Sequence, residues 1–217
     1  MGDFKYCNIC YGDYLLGSHD LEYCYSLDIV RDVKRMTFLD KYCKTIKKKI
    51  IMIFSRSRKK QIPFDILDCN INTKCMENSL LIKQIQMKYG EIWQHVLGNY
   101  EDFEDLGIGH DTGLDIISIS RKLIFELKNR YNTDNASSRK SNYDKLAKFK
   151  KKNKEYTVIY GVINDITIEG KKSSISHDGE IIEKYSGMKL LRFILGCDTN
   201  HIIRTVQSMV FLYSPTV

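Results

Sequence analysis

Long apolar runs are missing from this sequence. The longest, such as IIMIF at 50–54, fall far short of the roughly 20 residues that cross a bilayer, so no membrane-spanning helix is expected. The opening MGDFKYC has no apolar signal core, and Tyr6 breaks the pattern that would acylate Gly2. These absences predict an intracellular, cytoplasmic protein without a membrane partner. Internal repeats and low-complexity tracts are also absent, and 43% of the residues are hydrophobic, which argues against disorder. Proline is scarce. One of only two, Pro63, lies in a connection-like stretch at 55–66, SRSRKKQIPFDI. Acid is missing locally: residues 44–60 hold eight basic side chains and no carboxylate, and residues 139–154 hold eight against a single Asp. With a net charge of +7, two such blocks suit a polyanionic partner, although lysine-rich faces also serve solubility alone.

The chain is long enough, at 217 residues, for one domain or one domain with an appendage. Apolar spacing at Leu27, Val30, Val33 and Phe38 predicts a helix over 27–43. A second helix is predicted over 76–98 from the stripe Leu81, Ile85, Tyr89, Ile92 and Val96, with Gly98 as its cap and Gly90 as a possible kink. Trp93 falls on this helix at core spacing, with base stacking as its alternative use. An acidic loop is expected at 99–113. Strands are expected at 114–120 (LDIISIS), 122–128 (KLIFELK) and 156–164 (YTVIYGVIN). The basic helix at 139–153 lies between the last two, which predicts a parallel crossover. GEIIEKYSG reads as a short strand or hairpin arm, followed by helices at 188–196 and 200–213.

One stretch carries chemistry. In FELKN, Glu126 and Lys128 are next-but-one neighbours, so a strand places both on one face. If Ser120 and Arg121 form the hairpin turn, residues whose numbers sum to 241 face each other, and Asp115 then stands opposite Glu126. Ser-Arg is not a favoured turn pair, but any even shift in the pairing keeps both acids on one face. Two carboxylates so close repel each other, and a divalent cation removes that repulsion. Hard oxygen ligands suit Mg²⁺, and the Lys128 ammonium could then orient water or stabilise charge on phosphorus. Asp111 and His110, in the flexible GHDTG loop, are competing candidates for an acid and a base, but a loop Asp more often forms a turn.

The segment GLDIISISRKLIFELK resembles the PD-(D/E)xK nuclease pattern, with Leu114 where the pattern has proline. KYGEIWQHVLGNYEDFEDLG and ELKNRYNTDNASS extend the resemblance toward type II restriction endonucleases, notably the GGNCC-cutting group, over roughly 76–165. The resemblance implies an α/β fold with a mixed central β-sheet flanked by helices. It does not reach the first 70 or the last 50 residues; the expected division is a helical, cysteine-containing region at 1–70 of unknown role and a nuclease core at 71–217 that includes the C-terminal helices. It assigns Asp115 and Glu126 as ligands of Mg²⁺, Lys128 as the catalytic lysine, and Glu91 as an additional acid, with Gln94 near it on the same helical face. The implied activity is Mg²⁺-dependent, site-specific cleavage of double-stranded DNA, leaving 5′-phosphate and 3′-hydroxyl ends. A homodimer matching a palindromic site and a cognate DNA methyltransferase are the implied partners. A repair or junction-resolving nuclease on the same scaffold, or a basic DNA-binding protein without catalysis, are the alternatives.

The tract after the second strand offers Asn129, Arg130, Asn132, Thr133, Asn135, Ser137, Ser138, Arg139 and Lys140 as DNA contacts. Asn135, Ser137 or Ser138 could equally cap the helix that follows, and a helix N-terminus also binds phosphate. Seven cysteines are expected to be reduced thiols. Cys7, Cys10, His19 and Cys24 would suffice for a structural Zn²⁺, though their spacing fits no established finger and unligated thiols are the competing reading.

Overall fold

Six strands form one mixed sheet in the computed structural model, which describes residues 29–56, 73–107, 109–132 and 134–213. In chain order the elements are α1 (Ile29–Ser55), α2 (Thr73–Gly98), β1 (Phe103–Asp105), β2 (Ile116–Ser118), β3 (Leu123–Arg130), α3 (Ala136–Lys152), β4 (Thr157–Asn164), β5 (Lys172–His177), β6 (Glu180–Ser186), α4 (Gly187–Leu195), a 3₁₀ turn at Gly196–Asp198, and α5 (Thr199–Tyr213). Across the sheet the order is β1-β2-β3-β4-β6-β5. β1, β2 and β3 pair antiparallel, β3, β4 and β6 run parallel, and β5 returns antiparallel to β6. The architecture is the expected α/β one, and α3 is the predicted crossover between parallel strands.

Alternation along β3 builds two cores. Phe125 and Leu127 join Ile159, Ile163 and helices α1, α2, α4 and α5 on one face. Ile124 joins Val158, Tyr160, Ile182 and the α3 residues Tyr143 and Leu146 on the other. β4 is buried along most of its length, as a central strand covered on both faces must be. The α3 helix starts where Asn135 caps it, its side chain accepting from Ser138 N at 2.8 Å.

The hairpin has the predicted register: Ile116, Ile117 and Ser118 face Phe125, Ile124 and Leu123. Lys122 N donates to Ile119 O across Ser120 and Arg121. β2 is shorter than LDIISIS because the ladder slips at Asp115, whose N–H goes to Phe125 O while its side chain takes Leu127 N.

Other expectations change. The 99–113 loop contains the edge strand β1, and β5 was not anticipated. Gly90 does not interrupt α2, and a Cβ there would meet Asn129 Cβ of β3 at an ordinary contact distance of 3.7 Å. α1 continues through the basic tract to Ser55, and α3 begins at Ala136 rather than at 139. Trp93 packs half-buried against the larger core, as the core reading required. Cys7, Cys10, His19 and Cys24, the proposed zinc set, lie outside the described residues, as do Thr133 and most of the 55–66 connection. No helix among the described residues is long and apolar enough to cross a membrane.

Candidate active site

The α3 face of β3 carries Glu126 and Lys128, with Asp115 beside them at the end of β2. Glu126 is only 3% exposed. Its Oε1 accepts from Lys128 Nζ at 2.7 Å, and its Oε2 is buried without a hydrogen-bond partner. Asp115 Oδ2 accepts from Leu127 N at 2.6 Å, which anchors this carboxylate to the backbone between Glu126 and Lys128. The anchor is not enough to keep the group an ordinary acid. Burial, and then the charge of Glu126, push its pKa from 3.8 to about 6. For Lys128, burial pulls the ammonium down, but the hydrogen bond to Glu126 and the charges of Glu126, Asp134 and Asp115 outweigh it, and its pKa ends above the usual lysine value.

Asp134 is a fourth member that sequence reasoning passed over. Its side chain is 7% exposed and one oxygen lies 4.0 Å from Lys128 Nζ. The other accepts from Tyr160 Oη at 2.6 Å and Asn142 Nδ2 at 2.9 Å. The loop leaving β3 is thereby tied to β4 and to α3, and Arg139 Nη2 adds a bond to the Asp134 carbonyl at 3.1 Å. Nothing in the NTDN tract distinguishes Asp134 from its neighbours, because its partners come from 8 and 26 residues away.

The remaining candidates divide. Glu91 Oε1 accepts from Arg56 Nη1 at 2.8 Å, and no hydrogen bond or ion pair joins it to Asp115, Glu126 or Lys128. Its neighbour Gln94 donates to Asp105 Oδ1 at 3.0 Å, and His95 Nδ1 pairs with the same carboxylate. Asn129 turns to the opposite face, toward α2, where its Nδ2 donates to Gln86 O and its Oδ1 accepts from Asn164. Asn135 acts as the cap, while Ser137, Ser138, Arg139 and Lys140 form the exposed first turn of α3, and Arg130 and Asn132 are exposed before it. His110 and Asp111 sit in an exposed turn, with Gly113 N donating to His110 O. Much of the second basic block is engaged within the fold: Lys145 donates to Gly113 O, Lys150 to Lys154 O and Tyr156 O, and Lys151 pairs with Asp178.

The donor set fits a hard divalent cation. Asp115 and Glu126 offer oxygen ligands, one of them the unpartnered Glu126 Oε2, and Mg²⁺ commonly takes one or two carboxylates with waters and phosphate oxygens. Among the described residues no group of three or more His, Cys, Asp or Glu side chains is arranged to enclose a metal, so an all-protein cage is not present there. A family model described as Eco47II restriction endonuclease matches residues 37–193, a span that includes all four members of this site. No curated protein matches the chain.

Proposed function

The chain belongs to the Eco47II restriction endonuclease family, a type II restriction enzyme family, and we propose that it cuts duplex DNA at a specific sequence using Mg²⁺ held by Asp115 and Glu126. The observation that carries this reading is the buried Glu126 carboxylate, with one oxygen on Lys128, the other unpartnered, and a second carboxylate beside it. Bound there, Mg²⁺ supplies charge for the carboxylate pair and lowers the pKa of an attacking water. Asp115 is held by Leu127 N, which fixes one ligand oxygen through the backbone of β3. Lys128 stays charged and presents its ammonium to the phosphate as negative charge grows on the oxygens around phosphorus. Water oxygen bonds to phosphorus in line with the leaving group, the P–O3′ bond breaks, and a proton passes to O3′. The products are a 5′-phosphate and a 3′-hydroxyl.

The pattern Asp115, Glu126 and Lys128 supports reading the chain as a PD-(D/E)xK nuclease, with GGNCC as the type of site its resemblance suggests. A homodimer on a palindromic site and a methyltransferase of matching specificity complete the proposal. Glu91 stays outside the metal set in this reading, since Arg56 already occupies it. Ser137, Ser138, Arg139 and Lys140, at the exposed start of α3, are the proposed DNA contacts nearest the site, with Arg130 and Asn132 before them.

The test is digestion of unmethylated plasmid by the purified chain with Mg²⁺ or with EDTA, beside Lys128→Ala. Discrete Mg²⁺-dependent fragments that vanish in the variant are expected. Nicking or a smear would move the activity to a repair or junction-resolving nuclease, and DNA binding without cutting would leave a non-catalytic DNA-binding protein.

A further inference from the structure

Beside the catalytic face lies a cavity of about 240 Å³ that the reaction described above does not use. It continues the same side of the sheet. Lys128 pairs in register with Val162, which lines the cavity, and Glu126 pairs with Tyr160, which in turn pairs with Lys184. Two strand spacings of roughly 4.8 Å therefore separate the backbone of Glu126 from that of Lys184, so one DNA strand can lie across both. Tyr160 joins the two places directly: its ring lines the cavity and its hydroxyl holds Asp134 near Lys128.

The lining has the chemistry of a nucleotide. Arg139, Lys171 and Lys184 bring three cations against one carboxylate, Asp165. Asp165 is already occupied, accepting from Ser186 Oγ at 2.5 Å and from Ile166 N at 2.7 Å. Neither the Lys171 nor the Lys184 ammonium forms an ion pair among the described residues, and Lys184 lies 6.0 Å from the Tyr143 ring centre. At the mouth stand two exposed apolar side chains, Tyr131 at 49% and Ile166 at 76%. Cations beside an exposed tyrosine suit a phosphodiester with its nucleoside against the ring.

We propose that this cavity holds one phosphodiester of the DNA substrate next to the cut, bound by Lys171, Lys184 and Arg139, with Tyr131 against the attached nucleoside. This rests on the endonuclease reading. It adds Lys171 and Lys184, from β4–β5 and β6, to a DNA surface that the sequence placed only after β3.

Duplex binding by the full chain in EDTA, measured across a salt series with a plasmid fragment that the wild type cuts in Mg²⁺, tests it. Lys171→Gln and Lys184→Gln should each weaken binding about tenfold. Each should also reduce the slope of log K against log salt by about 0.9. Lys184→Arg should restore binding, and Lys83→Gln, which removes an exposed charge from α2, should give a smaller change. If the wild type binds and cuts while the two variants keep its affinity and slope, the cavity is not a DNA site although the endonuclease reading stands. Binding of inorganic phosphate with duplex affinity unmoved by either variant overturns it equally. A wild-type chain that neither binds nor cuts plasmid DNA overturns both.

Discussion

Removing a site carboxylate should stabilise the protein while it destroys activity. Asp115 titrates at 3.8 when free and at about 6 in the fold, because burial and the Glu126 charge disfavour its ionised form. A carboxyl whose folded pKa is raised contributes stability only below its unfolded value, and loses it as pH rises through the folded one. At pH 8 the ionised group therefore costs about 3 kcal/mol, from roughly 1.36 kcal/mol per unit. At pH 5 the cost falls to about half of that. Asp115→Asn removes the charge and keeps an amide oxygen for Leu127 N. The attraction of Lys128 is already contained in that net shift, and any native contact the amide fails to keep would subtract from it, so about 3 kcal/mol is a ceiling. For a chain of this size the gain corresponds to a Tm rise of up to about 6–12 °C. Thermal unfolding in EDTA at pH 8 and pH 5 measures it, with plasmid cleavage as the second readout. Mg²⁺ should raise the wild-type Tm at pH 8 and leave that of the variant nearly unmoved. A variant no more stable than wild type at pH 8, or one whose advantage is the same at pH 5, would refute the reasoning.

Two further perturbations probe the frame of the site. Asp134→Ala leaves Tyr160 Oη and Asn142 Nδ2 without their acceptor, which should cost about 2–4 kcal/mol in urea unfolding and lower cleavage at saturating DNA more than it weakens binding, with Asp134→Asn recovering most of the stability. Gly98→Ala puts a Cβ 2.8 Å from the Asp105 backbone and from Ile116 Cγ2, so α2 must move off β1; a loss of about 1–3 kcal/mol by calorimetry is expected, with reduced cleavage because the neighbouring Leu106 N holds Asp115 O.

The hairpin that carries the candidate site was legible because two independent signals agree. A turn at Ser120-Arg121 and the alternation of KLIFELK both fix the 241 register over Ile116–Ser118, and although the ladder slips one residue before it, Asp115 still reaches Leu127 N beside Glu126. The crossover was legible from the basic helix between two apolar strands. β5 was not, because KSSISH is exposed along most of its length and has no apolar alternation to read. β1 is three residues long and owes its pairing to β2. Asn129 illustrates a rule available but unapplied: with Glu126 and Lys128 on one face, a period of two sends residue 129 to the other, where it meets α2 rather than DNA on the catalytic side. Asp134 was beyond reach, since its burial depends on Tyr160 and Asn142 closing over it.

The site is where the fold departs from its own rules. Elsewhere β3 buries apolar side chains on both faces, yet Glu126 is buried with an unpartnered oxygen in the middle of it. Unpartnered buried oxygens are rare and costly, and they persist where a rigid frame imposes them for function. The frame here is the parallel pairing of β3 with β4, continuous from Leu123 to Lys128. Around the ammonium of Lys128 stand three carboxylates, Asp115, Glu126 and Asp134, with Lys145 as a further cation whose charge reaches Asp115. A divalent cation suits such an acid-rich cluster, and a cation that also holds a phosphate oxygen would bind tightly only when DNA is present. The same imbalance that weakens the free protein thus favours the state in which metal and substrate arrive together, and this links the predicted stability of Asp115→Asn to its predicted loss of cleavage.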